Sequence, residues 1–167
     1  GQNHQNEYNL ITTYAYDGAE RRTLITDTLG RVNVNLYDDG GQLVQSLVNK
    51  HPSISAQNHQ NEYNLITTYG YDVFGRQVSV IDMLGRESRT VYDVAGRIYQ
   101  TITNFKDGSY SASAPDEDLI TRYVYDAAGN VVQTIQFPDT PALTRISQTG
   151  YDNLNRVKQS VQNYVNG

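Results

Sequence analysis

Three short strings, Tyr71-Asp72-Val73-Phe74-Gly75-Arg76, Asp82-Met83-Leu84-Gly85-Arg86 and Tyr92-Asp93-Val94-Ala95-Gly96-Arg97, decide how this chain folds. Each contains Asp-x-x-Gly, and the three aspartates follow one another at intervals of ten and eleven residues. Asp at the first position of a type I turn accepts a hydrogen bond from the backbone two residues on, and Gly tolerates the left-handed conformation that closes a G1 bulge. Each string therefore predicts a hairpin apex. Only five to seven residues remain between apices, enough for a strand and too few for a helix.

The intervening segments alternate as half-buried strands do. In Val32-Asn33-Val34-Asn35-Leu36-Tyr37 apolar residues alternate with asparagines, a period of two. Four further segments place an apolar residue, a Gln and an apolar residue on one face: Leu43 to Asn49, Ile98 to Asn104, Val131 to Phe137 and Val157 to Asn163. That face is expected to be the buried one, with its glutamines satisfied by a ladder between strands.

The turns belong to a repeat. Gln2 to Tyr14 recurs letter for letter as Gln57 to Tyr69, a shift of 55 residues, and a weaker third copy starts at Leu119-Ile120-Thr121-Arg122-Tyr123. Three units near 2–56, 57–111 and 112–167 are expected, as one repeat array over 1–167. The turn residues are Tyr16, Asp17, Asp27, Gly30, Tyr37 and Asp38 in the first unit. In the second they are Tyr71, Asp72, Gly75, Arg76, Asp82, Gly85, Arg86, Tyr92, Asp93, Gly96 and Arg97. In the third they are Tyr125, Asp126, Gly129, Tyr151, Asp152 and Asn155, where Asn takes the left-handed position. An Arg that follows a turn glycine is expected to pair with a turn Asp of a neighbouring repeat. Consecutive hairpins give an all-β fold, an antiparallel meander that repetition extends into a strip. The polar loops 50–64 and 105–118 should project from one side of it. In the third unit, Phe137-Pro138-Asp139-Thr140-Pro141 replaces the middle turn and predicts a longer loop there.

Composition narrows the function. With 167 residues, 38% of them hydrophobic, the chain is long enough for one domain with a core. It has no apolar run that would span a membrane and no signal-peptide pattern at Gly1-Gln2-Asn3-His4-Gln5. Thirteen Lys and Arg against eighteen Asp and Glu, unclustered, offer no footprint for nucleic acid. The absence of cysteine removes disulfides, thiolate catalysis and Cys-ligated zinc.

Six Tyr-Asp pairs, at Tyr16, Tyr37, Tyr71, Tyr92, Tyr125 and Tyr151, those at Tyr71 and Tyr92 completed by Gly-Arg, closely resemble the YD repeats of the Rhs family. That family includes Rhs polymorphic toxins, the C component of Tc toxins and the teneurins. The resemblance covers nearly the whole chain, with degenerate turns at Ala19-Glu20-Arg21 and Asp39-Gly40-Gly41-Gln42. It implies a β-strip wound into a spiral shell or solenoid, which encloses a toxic effector or forms a barrel at the cell surface. The family's autoproteolytic Asp-Pro-x-Gly segment has no counterpart here, so the chain is expected to be an array from a larger secreted or cell-surface protein.

Sharper chemistries compete with this structural role. His4 and His59, each near a glutamate (Glu7, Glu62), recur within the repeat but lack the three or four convergent ligands of a metal site. Turn aspartates could serve as a glycosidase pair, yet a residue that recurs at every apex is explained by turn geometry. No nucleophile, metalloprotease, phosphate or dinucleotide motif is present. The expectation is a non-catalytic module without cofactor or metal. Its partners would be neighbouring repeats or a second copy at the sheet edges. The competing reading is a glycan- or surface-protein-binding module that uses loops 50–64 and 105–118, Tyr99, Tyr110 and the tyrosine stripe.

Overall fold

The computed structural model of the protein describes residues 10–53 and 62–162. Its regular structure is twelve strands: β1 Thr13–Tyr16, β2 Arg22–Thr26, β3 Val32–Tyr37, β4 Leu43–Val48, β5 Leu65–Tyr71, β6 Gln77–Ile81, β7 Glu87–Tyr92, β8 Ile98–Phe105, β9 Leu119–Tyr125, β10 Val131–Gln136, β11 Arg145–Tyr151 and β12 Val157–Gln162. No helix occurs among the described residues. Strands are hydrogen-bonded to their neighbours in sequence, in the order β1 to β12. The fold is thus an open antiparallel meander, the outcome of a chain that turns back every ten or eleven residues.

Two compact units divide the chain, Gly1–Gly70 with Asp82–Leu84, and Tyr71–Ile81 with Gly85–Gly167. In the first, β1 to β5 alternate direction, so the turns at Asp17 and Asp38 lie at one end of the strands. The turn at Asp27 and the loop between β4 and β5 lie at the other. In the second, alternation through β6 to β12 sets the turns at Asp93, Asp126 and Asp152 at one end. Loop 105–118 and the loop after β10 lie at the opposite end. The register slips by one residue just before the tyrosine at Ala15/Tyr16, Leu36/Tyr37, Val91/Tyr92 and Gly150/Tyr151. This is the bulge that a three-residue hairpin loop requires.

The expected core is not there. Among the described residues the buried apolar side chains are Ile102 and Ile120, which face each other across β8 and β9. The reason is topological: within each unit the strands pair with their sequence neighbours, which by itself stacks no second layer on the sheet, and a core needs two. Burial is therefore partial on both faces. The strands β4, β8, β10 and β12 are not neighbours, so no Gln ladder joins them among the described residues, although Gln133 of β10 stands opposite Gln148 of β11. Gln100 is instead satisfied by the Arg122 guanidinium at 2.8 Å.

Candidate functional site

Each Tyr-Asp turn is assembled around one carboxylate. In the turn at Asp72, Oδ1 accepts the N–H of Phe74 at 2.9 Å and of Arg76 at 3.0 Å, and Oδ2 accepts Nε of Arg76 at 2.7 Å. The backbone closes the same loop: Gly75 N–H donates to the Asp72 carbonyl and Asp72 N–H to the Arg76 carbonyl. The geometry recurs at Asp17, Asp93 and Asp152, and also at Asp27. At Asp82 the carboxylate accepts the N–H of Leu84 at 2.8 Å. The fourth residue is left-handed in these turns, Gly75 with φ 79° and Gly96 with φ 80°, with Glu20 at 62° and Asn155 at 58° where glycine is missing. At Asp126 the side-chain amide of Asn130 replaces the guanidinium, 3.0 Å from Oδ2.

The pairing of each turn Arg with a neighbouring repeat, expected from the sequence, is corrected by the structure. Arg21, Arg31, Arg76, Arg97 and Arg156 bind the Asp four residues back in their own turn. The backbone N–H of the Arg already bonds Asp Oδ1 within the tight turn, which sets its Nε beside Oδ2, while the far side of the guanidinium faces the next hairpin, as where Arg21 Nη1 donates to the Asp38 carbonyl at 3.3 Å.

What joins successive turns is the tyrosine. The guanidinium of Arg76 lies 4.4 Å from the ring centre of Tyr92, that of Arg97 lies 4.5 Å from Tyr125, and that of Arg21 lies 4.8 Å from Tyr37. The same tyrosines donate their hydroxyls to the carbonyl of the residue after that Arg: Tyr92 to Gln77 at 2.9 Å, Tyr125 to Ile98 at 2.7 Å, Tyr37 to Arg22 at 3.1 Å. Tyr151 reaches Val131 in the same way, at 3.1 Å. Turns that share an end are two strands apart, about 9.5–10 Å, a distance that a Tyr ring plus its hydroxyl spans. Asp, Arg and Tyr thus form a ladder along the ends of the strands. One face of the Tyr37, Tyr92 and Tyr125 rings is covered by a cation, and each hydroxyl is committed.

The electrostatics follow from this wiring. Backbone N–H donation from the residue four places on holds Asp17, Asp27 and Asp93 below the ordinary carboxylate range, helped by the Arg side chain. For Asp126 and Asp152 the largest cause is the side chain at that position. At Asp72 partial burial opposes the shift, and the hydrogen bonds of Arg76 outweigh it. The turn geometry thus favours the ionised form of these carboxylates.

A second motif is not apparent in the sequence reading. Asn64 and Asp118, each directly before a Leu-Ile-Thr strand, are 2% exposed and left-handed. Asn64 Oδ1 accepts the N–H of His51 at 2.9 Å. Asp118 accepts three backbone N–H groups, from Lys106 at 2.9 Å, Gly108 at 3.0 Å and Asp107 at 3.2 Å. Burial pushes the Asp118 pKa up, and these donors outweigh it to leave the group below the ordinary value. The partner residues Asn49 and Asn104 are left-handed as well, and their amides reach the carbonyls of Glu62 and Asp116. The signal for this clasp is the shared spacing from Gln45 to Asn49 and from Gln100 to Asn104, followed by Asn or Asp before Leu-Ile-Thr. In the third unit Phe137 occupies the left-handed position instead. Its ring meets Tyr110 edge-on at 5.1 Å, beside a recess of about 360 Å³ lined by Ala142, Leu143, Thr144 and Arg145.

His4, Glu7 and His59 lie outside the described residues, as do 54–61 of loop 50–64. Among the described residues no group of three His, Cys, Asp or Glu side chains is arranged to hold a metal, and no helix is long and apolar enough to cross a membrane.

No family model matches the chain, and none of the curated proteins does. Solved structures do. A structure of the Photorhabdus luminescens Tc holotoxin pore, with a mutation in TccC3, is similar over 89% of this chain, with 19% identity and a TM-score of 0.65. A crystal structure of TcdB2-TccC3 is similar over 87%, with 19% identity and a TM-score of 0.64. The chain spans about 7% of the length of each of those chains. The repeated Tyr-Asp motifs and the twelve-stranded meander agree with this match: the chain has the fold of a short stretch of these Tc toxin chains, in keeping with its resemblance to the YD repeats.

Proposed function

We propose that the chain is a non-catalytic structural module, an array of three YD-type units that builds part of the β-shell of a large secreted or toxin-encapsulating protein. One observation carries this reading: the side chains that recur are spent on one another. Asp folds each turn and holds Arg, Arg covers the next Tyr, and the Tyr hydroxyl fastens back onto the previous turn. A catalytic group would be singular and free to act on a substrate, whereas here the repeated groups are internal fastenings. The fold shared with short stretches of Tc toxin chains supports the same view, and neighbouring repeats would be the partners. The parent protein would act outside the cytoplasm.

A binding role is the second reading, and the recess between Tyr110, Phe137 and Leu143 favours it, because aromatic and apolar walls at a loop surface suit a sugar ring or a peptide side chain. A glycan array probed with the chain separates the two. Silence across the array is the result expected for a shell module. Reproducible binding that Tyr99→Ala or Tyr110→Ala abolishes would overturn it.

A further inference from the structure

Two interfaces inside the chain show what kind of strand covers a Gln-bearing one. β4 lies against β5 with Gln45 opposite Thr68, Ser46 opposite Thr67 and Leu47 opposite Ile66. β8 lies against β9 in the same register, with Gln100 opposite Arg122, Thr101 opposite Thr121 and Ile102 opposite Ile120. At that second interface the two isoleucines are 7% and 4% exposed. In both cases a Gln-bearing strand receives a strand that begins Leu-Ile-Thr. β12 carries the same Gln-bearing pattern, Val157-Lys158-Gln159-Ser160-Val161-Gln162, and among the described residues its neighbour is β11 alone. At the other extreme, Leu10-Ile11-Thr12-Thr13-Tyr14 repeats Leu65-Ile66-Thr67-Thr68-Tyr69 letter for letter. There, among the described residues, β1 has only β2 beside it, and Leu10 and Ile11 are 83% and 62% exposed.

We propose that β12 of one copy accepts the Leu10–Tyr14 segment of a second copy, in the register of β4 on β5, so that copies add head to tail. That register sets Gln159 opposite Thr13, Ser160 opposite Thr12, Val161 opposite Ile11 and Gln162 opposite Leu10. Val161 and Ile11 then take the places of Ile102 and Ile120, and an exposed isoleucine gains the cover that its internal counterpart has. Lys158 is the single charge in the two segments, so no like charges meet, and neither edge carries the proline or dense charge that keeps sheet edges apart. The contact is heterologous: each copy offers one edge and receives the other. It depends on the strand pattern alone and stands whether or not the shell reading holds.

Single cysteines read the register directly, because the chain has none of its own. Hydrogen-bonded and non-hydrogen-bonded pairs alternate along an antiparallel ladder and differ in how well they fit a disulfide, so two adjacent pairs are needed. Chains with Ile11→Cys are mixed under mild oxidation with chains with Val161→Cys, and Thr12→Cys with Ser160→Cys. Ile11→Cys with Ser160→Cys, one residue out of register, is the control. At least one matched mixture should give about tenfold more mixed disulfide than the control, since a one-residue slip turns the side chains to opposite faces. Sedimentation velocity of the unsubstituted chain should show larger species growing with concentration. Equal yields from matched and shifted mixtures, or an unsubstituted chain that stays monomeric into the millimolar range, would overturn the proposal.

Discussion

The guanidinium of Arg76 covers the ring of Tyr92 at 4.4 Å, while the Tyr92 hydroxyl donates to the carbonyl of Gln77, the residue next to Arg76. Two adjacent positions of one turn are thus gripped by a single side chain of the next. The planar fork of Arg also holds Asp72 through Nε and Nη2, which the point charge of Lys cannot do. Arg76→Lys should therefore destabilise the protein by about 0.5–1 kcal/mol, the size of a partly exposed cation–π contact. Urea unfolding checks this, and in Tyr92→Leu chains the same substitution should cost less, because its partner is gone.

Backbone strain gives a second expectation. A Cβ at Gly96 would meet only Nη1 of Arg76, at 3.8 Å, so space is not the obstacle; the φ of 80° is. A β-branched residue fits that conformation poorly, and Gly96→Val should cost about 1–3 kcal/mol. Asn155, already left-handed at φ 58°, should accept Gly with a near-neutral effect, because the relieved backbone is offset by loss of the Asn155 oxygen that accepts the Asn130 amide at 3.0 Å. Denaturant midpoints of the two variants test both statements.

Acid should weaken the fold. Asp17, Asp27, Asp72, Asp93, Asp118, Asp126 and Asp152 are all held below the ordinary carboxylate value. Unfolded, the same groups titrate near about 3.9. Just below that pH the unfolded chain binds more protons than the folded one, so stability falls as pH falls. Their contribution is complete above the unfolded value and is lost as pH drops through the folded ones. Urea midpoints should hold between pH 7 and about 5 as far as these groups decide, and decline below about 4. A midpoint that rises on acidification over that lower range would contradict the carboxylate-centred turns.

The loop clasp makes a residue-specific prediction. Asp118→Ala removes the acceptor for three backbone N–H groups at a site that is 2% exposed, and should cost about 1–3 kcal/mol. Hydrogen exchange at Lys106 and Gly108 should accelerate. Asp118→Asn should fall in between, since Asn64 does the corresponding work with one oxygen.

Turn spacing made the strands, their order and the position of the long loops legible, because Asp-x-x-Gly encodes its geometry within four residues. The Arg76–Tyr92 contact was not legible from spacing alone, since it depends on which turns share an end, and that follows only once antiparallel alternation is built. Asn64 and Asp118 were missed because a lone polar residue before a strand reads as loop; only its left-handed backbone and its buried position show that it clasps. Composition suggested a core, and 38% hydrophobic content says nothing about how many layers share it.

The repeated tyrosines fasten turn to turn. Replacing Tyr37, Tyr92 and Tyr125 together by Phe deletes three inter-turn hydrogen bonds and keeps the rings under their guanidinium groups. Equilibrium urea unfolding of this triple variant is the most direct measurement. A lowered midpoint is expected, with a loss of about 0.5 kcal/mol or more for each hydroxyl and an unchanged β-sheet circular dichroism spectrum before unfolding. A midpoint equal to that of the unsubstituted chain would contradict the account, because hydroxyls that hold nothing together would be free for another task.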